Sequence, residues 1–230
     1  MILSPIAVIR TEFPEKFGIP RQSGLADSLR GSVVFLPEYR NRDAFRGLDG
    51  FSHIWLIWGF SANRNDDWQP TVRPPRLGGN DRMGVFATRS PYRPNPLGLS
   101  CVAVDRIDLD AEDGPVIYVR GADLMDGTPI YDIKPYIRYA DSYPESICGY
   151  VDCLDESKLK VVIPDDIITG MTTDIAKSLH QTLALDPRPS YHNDPLREYG
   201  LSFAGYNIRF KVSDGVITVI SAHCTPDSLP

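Results

Sequence analysis

The sequence predicts a mainly β protein: a small barrel or sandwich over residues 1–142, followed by a small α+β unit over residues 143–230. Three observations predict it. Short apolar segments, several of them alternating, follow one another through the first part, with Gly, Pro, Asn or Asp between them. That is the pattern of many short strands joined by turns. One stretch, Asp165–Ala184, repeats its apolar residues at helical spacing. No GxGxxG follows a strand and opens a helix, and no Walker sequence occurs, so a Rossmann or P-loop nucleotide site is not predicted.

The elements follow in order. Ile6–Ile9 opens as an apolar strand, and Gly18–Leu25 (GIPRQSGL) is a loop punctuated by Gly and Pro. Gly31–Leu36 is a strand. Pro37–Leu48 is a short helix with Tyr39, Phe45 and Leu48 as apolar points. Phe51–Phe60 (FSHIWLIWGF) is almost continuously apolar, as in a strand buried on both faces. Ala62–Arg82 is polar, rich in Pro and Gly, and forms the longest loop. Ala87–Ser100 (ATRSPYRPNPLGLS) holds Pro91, Pro94 and Pro96. Each proline fixes its own φ and turns the preceding residue away from helix, so this is a stiff, irregular loop. Leu99–Leu109 alternates as a half-buried strand, Ala111–Gly114 turns, and Pro115–Gly121 returns as a hairpin. Asp126–Pro129 is a turn, and Ile130–Tyr139 is a strand interrupted by Pro135.

Composition shifts near Asp141–Ser146. Leu159–Ile163 is a strand. A helix from Asp165 to Ala184 takes Asp165 as its N-cap and sets Ile168, Met171, Ile175, Leu179 and Leu183 in one core-facing stripe. Asp186–Tyr191 (DPRPSY) is a proline-stiffened turn. Ala204–Val212 and Gly215–Ser221 alternate as a hairpin through Ser213–Asp214–Gly215.

Hydrophobic residues make up 42% of the chain, enough for a real core. No apolar run approaches the roughly 20 residues of a membrane helix. The N-terminus lacks a basic flank before a long apolar stretch, so the expected compartment is the cytoplasm. Four cysteines without zinc spacing predict reduced, mostly buried thiols and no metal. The net charge of −6 is unevenly spread. Residues 1–100 carry 13 basic and 9 acidic side chains, residues 101–230 carry 11 and 21. Arg64, Arg73, Arg76, Arg82, Arg89 and Arg93 crowd one stretch, and partners respond to such a local patch more than to net charge.

A stiff loop loses little freedom on binding, and guanidinium forks suit phosphate and carboxylate, so Arg89 and Arg93 point to an anion or nucleic-acid site. Asp126, Asp132, Lys134, Tyr136 and Asp141 add polar groups that packing does not require; alternation sets Asp132, Lys134 and Tyr136 on one face. His53 precedes the most apolar strand. No GxSxG elbow or catalytic cysteine signature occurs. The residues by themselves establish a mainly β protein with a rigid, arginine-lined site.

Four segments carry a resemblance: GIPRQSGL, GFSHIWLIW (Gly50–Trp58), the proline–arginine loop, and DGTPIYDIKPY (Asp126–Tyr136). In order and spacing they resemble the TsaA-like (TrmO) family of tRNA methyltransferases, which methylate N6 of threonylcarbamoyladenosine beside the anticodon. The resemblance covers residues 1–142. LALDPRPSY (Leu183–Tyr191) and YNIRFKV (Tyr206–Val212) resemble the family's C-terminal extension more loosely. It implies a homodimer that binds S-adenosylmethionine on a small β-barrel rather than a Rossmann sheet. Carried onto matching positions, the cofactor contacts are Pro20, Arg21, Gln22, His53, Ile54, Arg89, Leu99, Asp126, Gly127, Thr128 and Pro129. Arg89 or Arg21 would clamp the cofactor carboxylate, and backbone groups of Asp126–Pro129 would read the adenine. Asp132, Tyr136, Asp141 and His53 all remain open as the acceptor of the N6 proton. Tyr92 or Tyr136 would stack the exposed target base, and Arg64, Arg73, Arg76 and Arg93 would meet anticodon-stem phosphates. Two rivals stay open: a non-catalytic RNA-binding barrel, and a methyltransferase acting on a small molecule.

Overall fold

The computed structural model describes residues 2–61, 68–77, 81–154, 157–189, 192 and 194–225. Its strands are β1 (Ala7–Thr11), β2 (Arg30–Phe35), β3 (His53–Gly59), β4 (Thr71–Val72), β5 (Met83–Gly84), β6 (Leu97–Asp108), β7 (Val116–Arg120), β8 (Pro129–Pro135), β9 (Lys160–Val162), β10 (Tyr199–Phe203), β11 (Tyr206–Ser213) and β12 (Val216–Cys224). Helical turns α1 (Arg138–Asp141) and α2 (Asp165–Ile168) precede the one long helix, α3 (Thr173–Ala184).

Alternation closes the first part into an antiparallel barrel, ordered β1–β2–β7–β6–β3–β8 and back to β1. Ala7, Ile9, Val33, Ile54, Leu56, Val102, Ile117, Val119 and Ile130 point inward and are fully buried or nearly so. Each of the Ile, Leu and Val side chains contributes about 1.5–3 kcal/mol of burial free energy. Closure also leaves no open sheet edge. Trp58 reaches across β6, where a methyl group at Gly98 would lie 2.2 Å from its ring.

The last part is a sheet ordered β10–β11–β12–β9, with β9 parallel to β12 and α3 packed on its inner face through Leu179 and Leu183. The 12–29 segment between β1 and β2 contributes Phe13, Ala26 and Leu29 to this second core. The two cores therefore share one connecting loop.

Several expectations are corrected. Pro37–Leu48 forms no α-helix; Pro37–Tyr39, Arg42–Phe45 and Leu48–Gly50 are separate 3₁₀ turns, with Asn41 capping the second. β3 is buried on its inner face, whereas Trp55 and Ile57 on the outer face are only half-buried. β8 ends at Pro135, which cannot donate to the ladder, so Tyr136 lies beyond the strand that carries Asp132 and Lys134. The helix expected over Asp165–Ala184 is broken. The Gly170 carbonyl accepts from the Tyr206 hydroxyl at 2.8 Å, and Thr172, not Asp165, caps α3 by accepting from Ile175 N at 3.3 Å. The cysteines are mostly exposed rather than buried: Cys148, Cys153 and Cys224 face solvent, and Cys101 is half-buried.

Candidate functional site at the barrel rim

Strand direction decides which loops meet. β1, β3 and β7 end where β2, β6 and β8 begin, so connections 12–29, 60–96 and 121–128 gather at one rim of the barrel. These connections hold Pro20–Arg21–Gln22, the proline–arginine loop and the Asp126–Thr128 turn. Pro129, the turn's last residue, opens β8.

The proline–arginine loop is held by its own hydrogen bonds. The Val85–Ala87 turn buries Val85, and the Thr88 hydroxyl donates to the Val85 carbonyl at 2.9 Å. Arg93 Nη1 donates to the carbonyls of Val85 at 3.0 Å and Thr88 at 2.5 Å, with its guanidinium over the Phe86 ring. Arg93 is thus a staple inside the loop rather than an outward cation. Arg89 is exposed, and its Nη1 donates to Gln22 Oε1, joining two of the three loops.

The 20–22 segment is anchored from the other unit. Pro20 is buried, and Arg21 Nη2 donates to the Asp186 carbonyl at 3.3 Å, just past the end of α3. Burial, then the neighbouring Arg76, lowers the Arg21 pKa from its ordinary value. Asp186 (φ 49°) is itself held by Arg188, whose Nε lies 2.8 Å from Oδ1. A cavity of about 130 Å³ separates Pro20 and Arg21 from Thr182, Leu185 and Pro187. Ligand pockets run from ~300 Å³ upward, so this seam is smaller than a typical ligand site.

The Asp126–Pro129 turn is tied to β1. Asp126 N donates to Phe13 O at 2.7 Å, Gly127 N to Ile9 O at 2.9 Å, and Thr128 N to Met125 O at 3.2 Å. Its amides are engaged, and the Thr128 carbonyl accepts from Ile9 N at 3.1 Å; what the turn offers a ligand is carbonyl oxygens, which suit a donor such as an exocyclic amine. Gly127 adopts φ +78°, a conformation that other residues take at a cost. Asp126 Oδ1 accepts from Thr11 N at 3.0 Å, and Arg10 pairs with Oδ2 at 3.4 Å.

The remaining predicted residues lie on other elements. His53 begins β3 and Tyr136 follows β8. The register brings the 20–24 segment towards them: Ser23 Oγ accepts from Cys101 N, and Cys101 lies opposite Trp55, two residues from His53. The His53 and Tyr136 rings lie 6.1 Å apart, and Ser52 Oγ lies 3.0 Å from His53 Nδ1. Asp141 accepts from Ile137 N at 2.8 Å and Trp55 Nε1 at 3.1 Å; these bonds hold its carboxyl below the ordinary range and make it a poor base. Ile54 is fully buried in the barrel core, so its side chain offers no surface to a ligand. Asp132 and Lys134 pair at 2.9 Å on the outer face, and Leu99 lies on that face of β6, about half exposed. Arg73 and Tyr92 are exposed on the long connection; Arg64 lies outside the described residues.

Sequence reasoning missed Ser23, Ser100 and Asp123, which sit beneath the rim. Ser100 Oγ accepts from Trp58 Nε1 at 2.9 Å and donates to Asp123 Oδ1 at 2.6 Å. Ser23 Oγ accepts from Cys101 N at 3.1 Å. The available signal was Asp123 itself, a carboxylate in the otherwise apolar Ala122–Met125 stretch.

A closed antiparallel barrel with three loops at one rim, bridged by an arginine–glutamine pair, defines a class of proteins that build a ligand site from barrel loops instead of a glycine-rich turn. The comparisons identify the family within it. Residues 8–142 match the tRNA-methyltransferase O N-terminal domain, and residues 166–223 match the TrmO C-terminal domain. The chain is 38% identical over 224 residues to the tRNA (adenine(37)-N6)-methyltransferase of Escherichia coli (strain K12), covering 94% of this chain and 95% of that one. It is 42% identical over 170 residues to the protein of that name from Eikenella corrodens, covering 74% and 95%. The crystal structure of TrmO from Pseudomonas aeruginosa superimposes with a TM-score of 0.78 at 31% identity, covering 97% of this chain and 98% of that one. This chain belongs to the tRNA-methyltransferase O family.

Proposed function

We propose that this protein transfers a methyl group from S-adenosylmethionine to N6 of adenine 37 in tRNA, the adenosine bearing a threonylcarbamoyl group. Family membership supports the reaction. The rim supports the mode of binding: Arg89 and Gln22 supply a guanidinium and an amide for the donor's carboxylate, and the carbonyls of Asp126–Pro129 supply acceptors for its adenine amine. When bound, the donor supplies a methyl carbon activated by a sulfonium. The protein aligns the two reactants and excludes water, since displacement at carbon needs little else.

The observation that carries the reading further is an apolar surface on the barrel. Leu97 and Leu99 on the outer face of β6, and Ile137, Tyr139, Tyr143 and Ile147 after β8, are all exposed. Large exposed apolar patches mark interaction surfaces. The proposal is therefore a homodimer associated through this surface, close to the donor site. His53, with Nδ1 beside Ser52, offers Nε2 to the N6 proton; Asp132 is engaged by Lys134. Exposed Arg73 and Tyr92, with half-buried Arg76, lie on the connection at the rim as the tRNA-facing surface. The proposed units are the barrel (1–142) and the C-terminal unit (143–230), and the proposed compartment is the cytoplasm, where tRNA is modified.

A labelled-methyl assay tests the reading. Incorporation into tRNA carrying threonylcarbamoyl-adenosine, with little into unmodified tRNA or a metabolite pool, is the expected result. Incorporation only into small molecules, or none with donor bound, overturns it. Light scattering across a concentration series tests the dimer, and a monomer at assay concentration refutes that part.

A further inference from the structure

Three loops build the rim, and a half-buried carboxylate, Asp123, lies where one of them meets β6. Asp123 follows β7 and stands three residues before the Asp126 turn. The Ser100 hydroxyl, 1% exposed, donates to its Oδ1 at 2.6 Å. That hydroxyl is oriented by Trp58 Nε1, whose ring lies flat over Gly98 with no room for a β-carbon. Gly24 N donates to Gly121 O at 2.8 Å and Ser23 Oγ accepts from Cys101 N at 3.1 Å, so the segment after Gln22 lies against the strand and the loop that carry Ser100 and Asp123. Burial pushes the half-buried Asp123 carboxyl above the ordinary range, against the Ser100 hydroxyl, its own amide, the charge of Arg89 and the Ser23 amide. A carboxylate partly withdrawn from water is costly to keep, and nothing in the barrel core needs one.

We infer that Asp123 is a positioning residue for the methyl-donor site: anchored by Ser100 and Trp58, it fixes the loop against which the Ser23–Gly24 backbone lies, and so keeps the neighbouring Gln22 set for its pair with Arg89 and for the donor's carboxylate. This rests on the proposed donor site at the rim. Asp123 itself touches no reacting atom. It acts through the Gln22–Ser23 segment, so its removal changes donor affinity before it changes the chemical step.

The test is a double-mutant cycle read by calorimetry of S-adenosylmethionine binding, with denaturation midpoints recorded alongside. Asp123→Asn keeps the acceptor for Ser100 and removes the charge. It is expected to weaken donor binding about tenfold, as for the loss of a charged hydrogen-bonding partner. KM for the donor rises with it, while kcat changes little. Arg89→Ala weakens binding at least as much, and the double variant binds no worse than Arg89→Ala alone, because both changes remove one arrangement. Ser100→Ala frees the carboxylate without removing it, and gives a smaller loss in the same direction. It serves as the second variant should Asp123→Asn fold poorly. Effects that multiply, or donor binding in Asp123→Asn within about twofold of the parent, overturn the inference and leave the donor site standing. A parent protein that binds no donor overturns the proposed function, and this inference with it.

Discussion

Replacing Glu12 with glutamine should stabilise the protein in alkaline solution and leave it unchanged in acid. Glu12 follows β1 at the join of the two cores. Its carbonyl accepts from Ala204 N at 2.8 Å, and its Oε2 accepts from Arg30 N at 3.3 Å. Burial pushes its carboxyl from the usual 4.5 up to about 7; the Arg30 amide and guanidinium pull against this, and Asp174 adds to it. Arg30 is shared with Asp174 at 2.8 Å, in an exposed pair that leaves Glu12 incompletely compensated.

The sign follows from proton counting. Between 4.5 and about 7 the folded protein holds a proton on Glu12 that the unfolded chain has released. Unfolding free energy therefore falls as pH rises through that window, and the favourable contribution present below 4.5 is gone above about 7. At ~1.4 kcal/mol per pH unit, the window is worth about 3 kcal/mol. Glutamine keeps the size and the acceptor but does not titrate. Urea unfolding at pH 4.5 and pH 8, followed by tryptophan fluorescence and circular dichroism, should show the variant equal to the parent at the lower pH and about 3 kcal/mol more stable at the higher. Phe13 next door packs in the second core, so any separate transition of that core should carry the effect. A variant whose advantage does not depend on pH, or which is weaker at pH 8, refutes the reasoning.

Three other perturbations separate parts of the structure. Arg89→Ala should weaken donor binding at least about tenfold, whereas exposed Arg73→Ala should lower tRNA affinity and reduce its salt slope by about 1; equal effects of both on both ligands refute that division. Gly98→Ala sets a methyl 2.2 Å from the Trp58 ring and should cost about 1–3 kcal/mol in urea unfolding, and an unchanged midpoint would mean the ring has room to move. Thr172→Ala removes the cap of α3 and should cost about 1 kcal/mol, with reduced helical ellipticity as its check.

The barrel was legible because its strands obey a rule of period two. Ile54 and Leu56 alternate with Trp55 and Ile57, and inward and outward sets follow without further information. The error at β3 was to read aromatic residues as buried; the outer face is apolar yet open, which a single chain's sequence does not distinguish from a covered one. β10 went unread although Tyr199, Leu201 and Phe203 alternate with Gly200 and Ser202, because Ala204–Gly205 make a tight turn (φ 48° and 79°) without the usual Asn or Asp to mark a hairpin. The single-helix reading failed at a tertiary contact, the Tyr206 hydroxyl on the Gly170 carbonyl, which no helical periodicity contains.

The site was legible as residue types and illegible as an arrangement. The stiffness of the proline–arginine loop follows from proline geometry. Which of its arginines turns inward depends on carbonyls five and eight residues back, and these hold Arg93 and leave Arg89 to Gln22. Resemblance places His53 and Arg89 in one site, and residue order alone does not show how they approach, because His53 begins β3 and Arg89 lies on the connection after its other end. The register supplies the missing step. Gln22, the partner of Arg89, precedes Ser23, whose Oγ accepts from Cys101 N, and Cys101 lies opposite Trp55, two residues from His53. His53→Ala and Arg89→Ala should therefore both weaken donor binding. Restored affinity on mixing the two variant chains would mark a composite site that takes one residue from each copy, and no restoration would mark a site built within one copy.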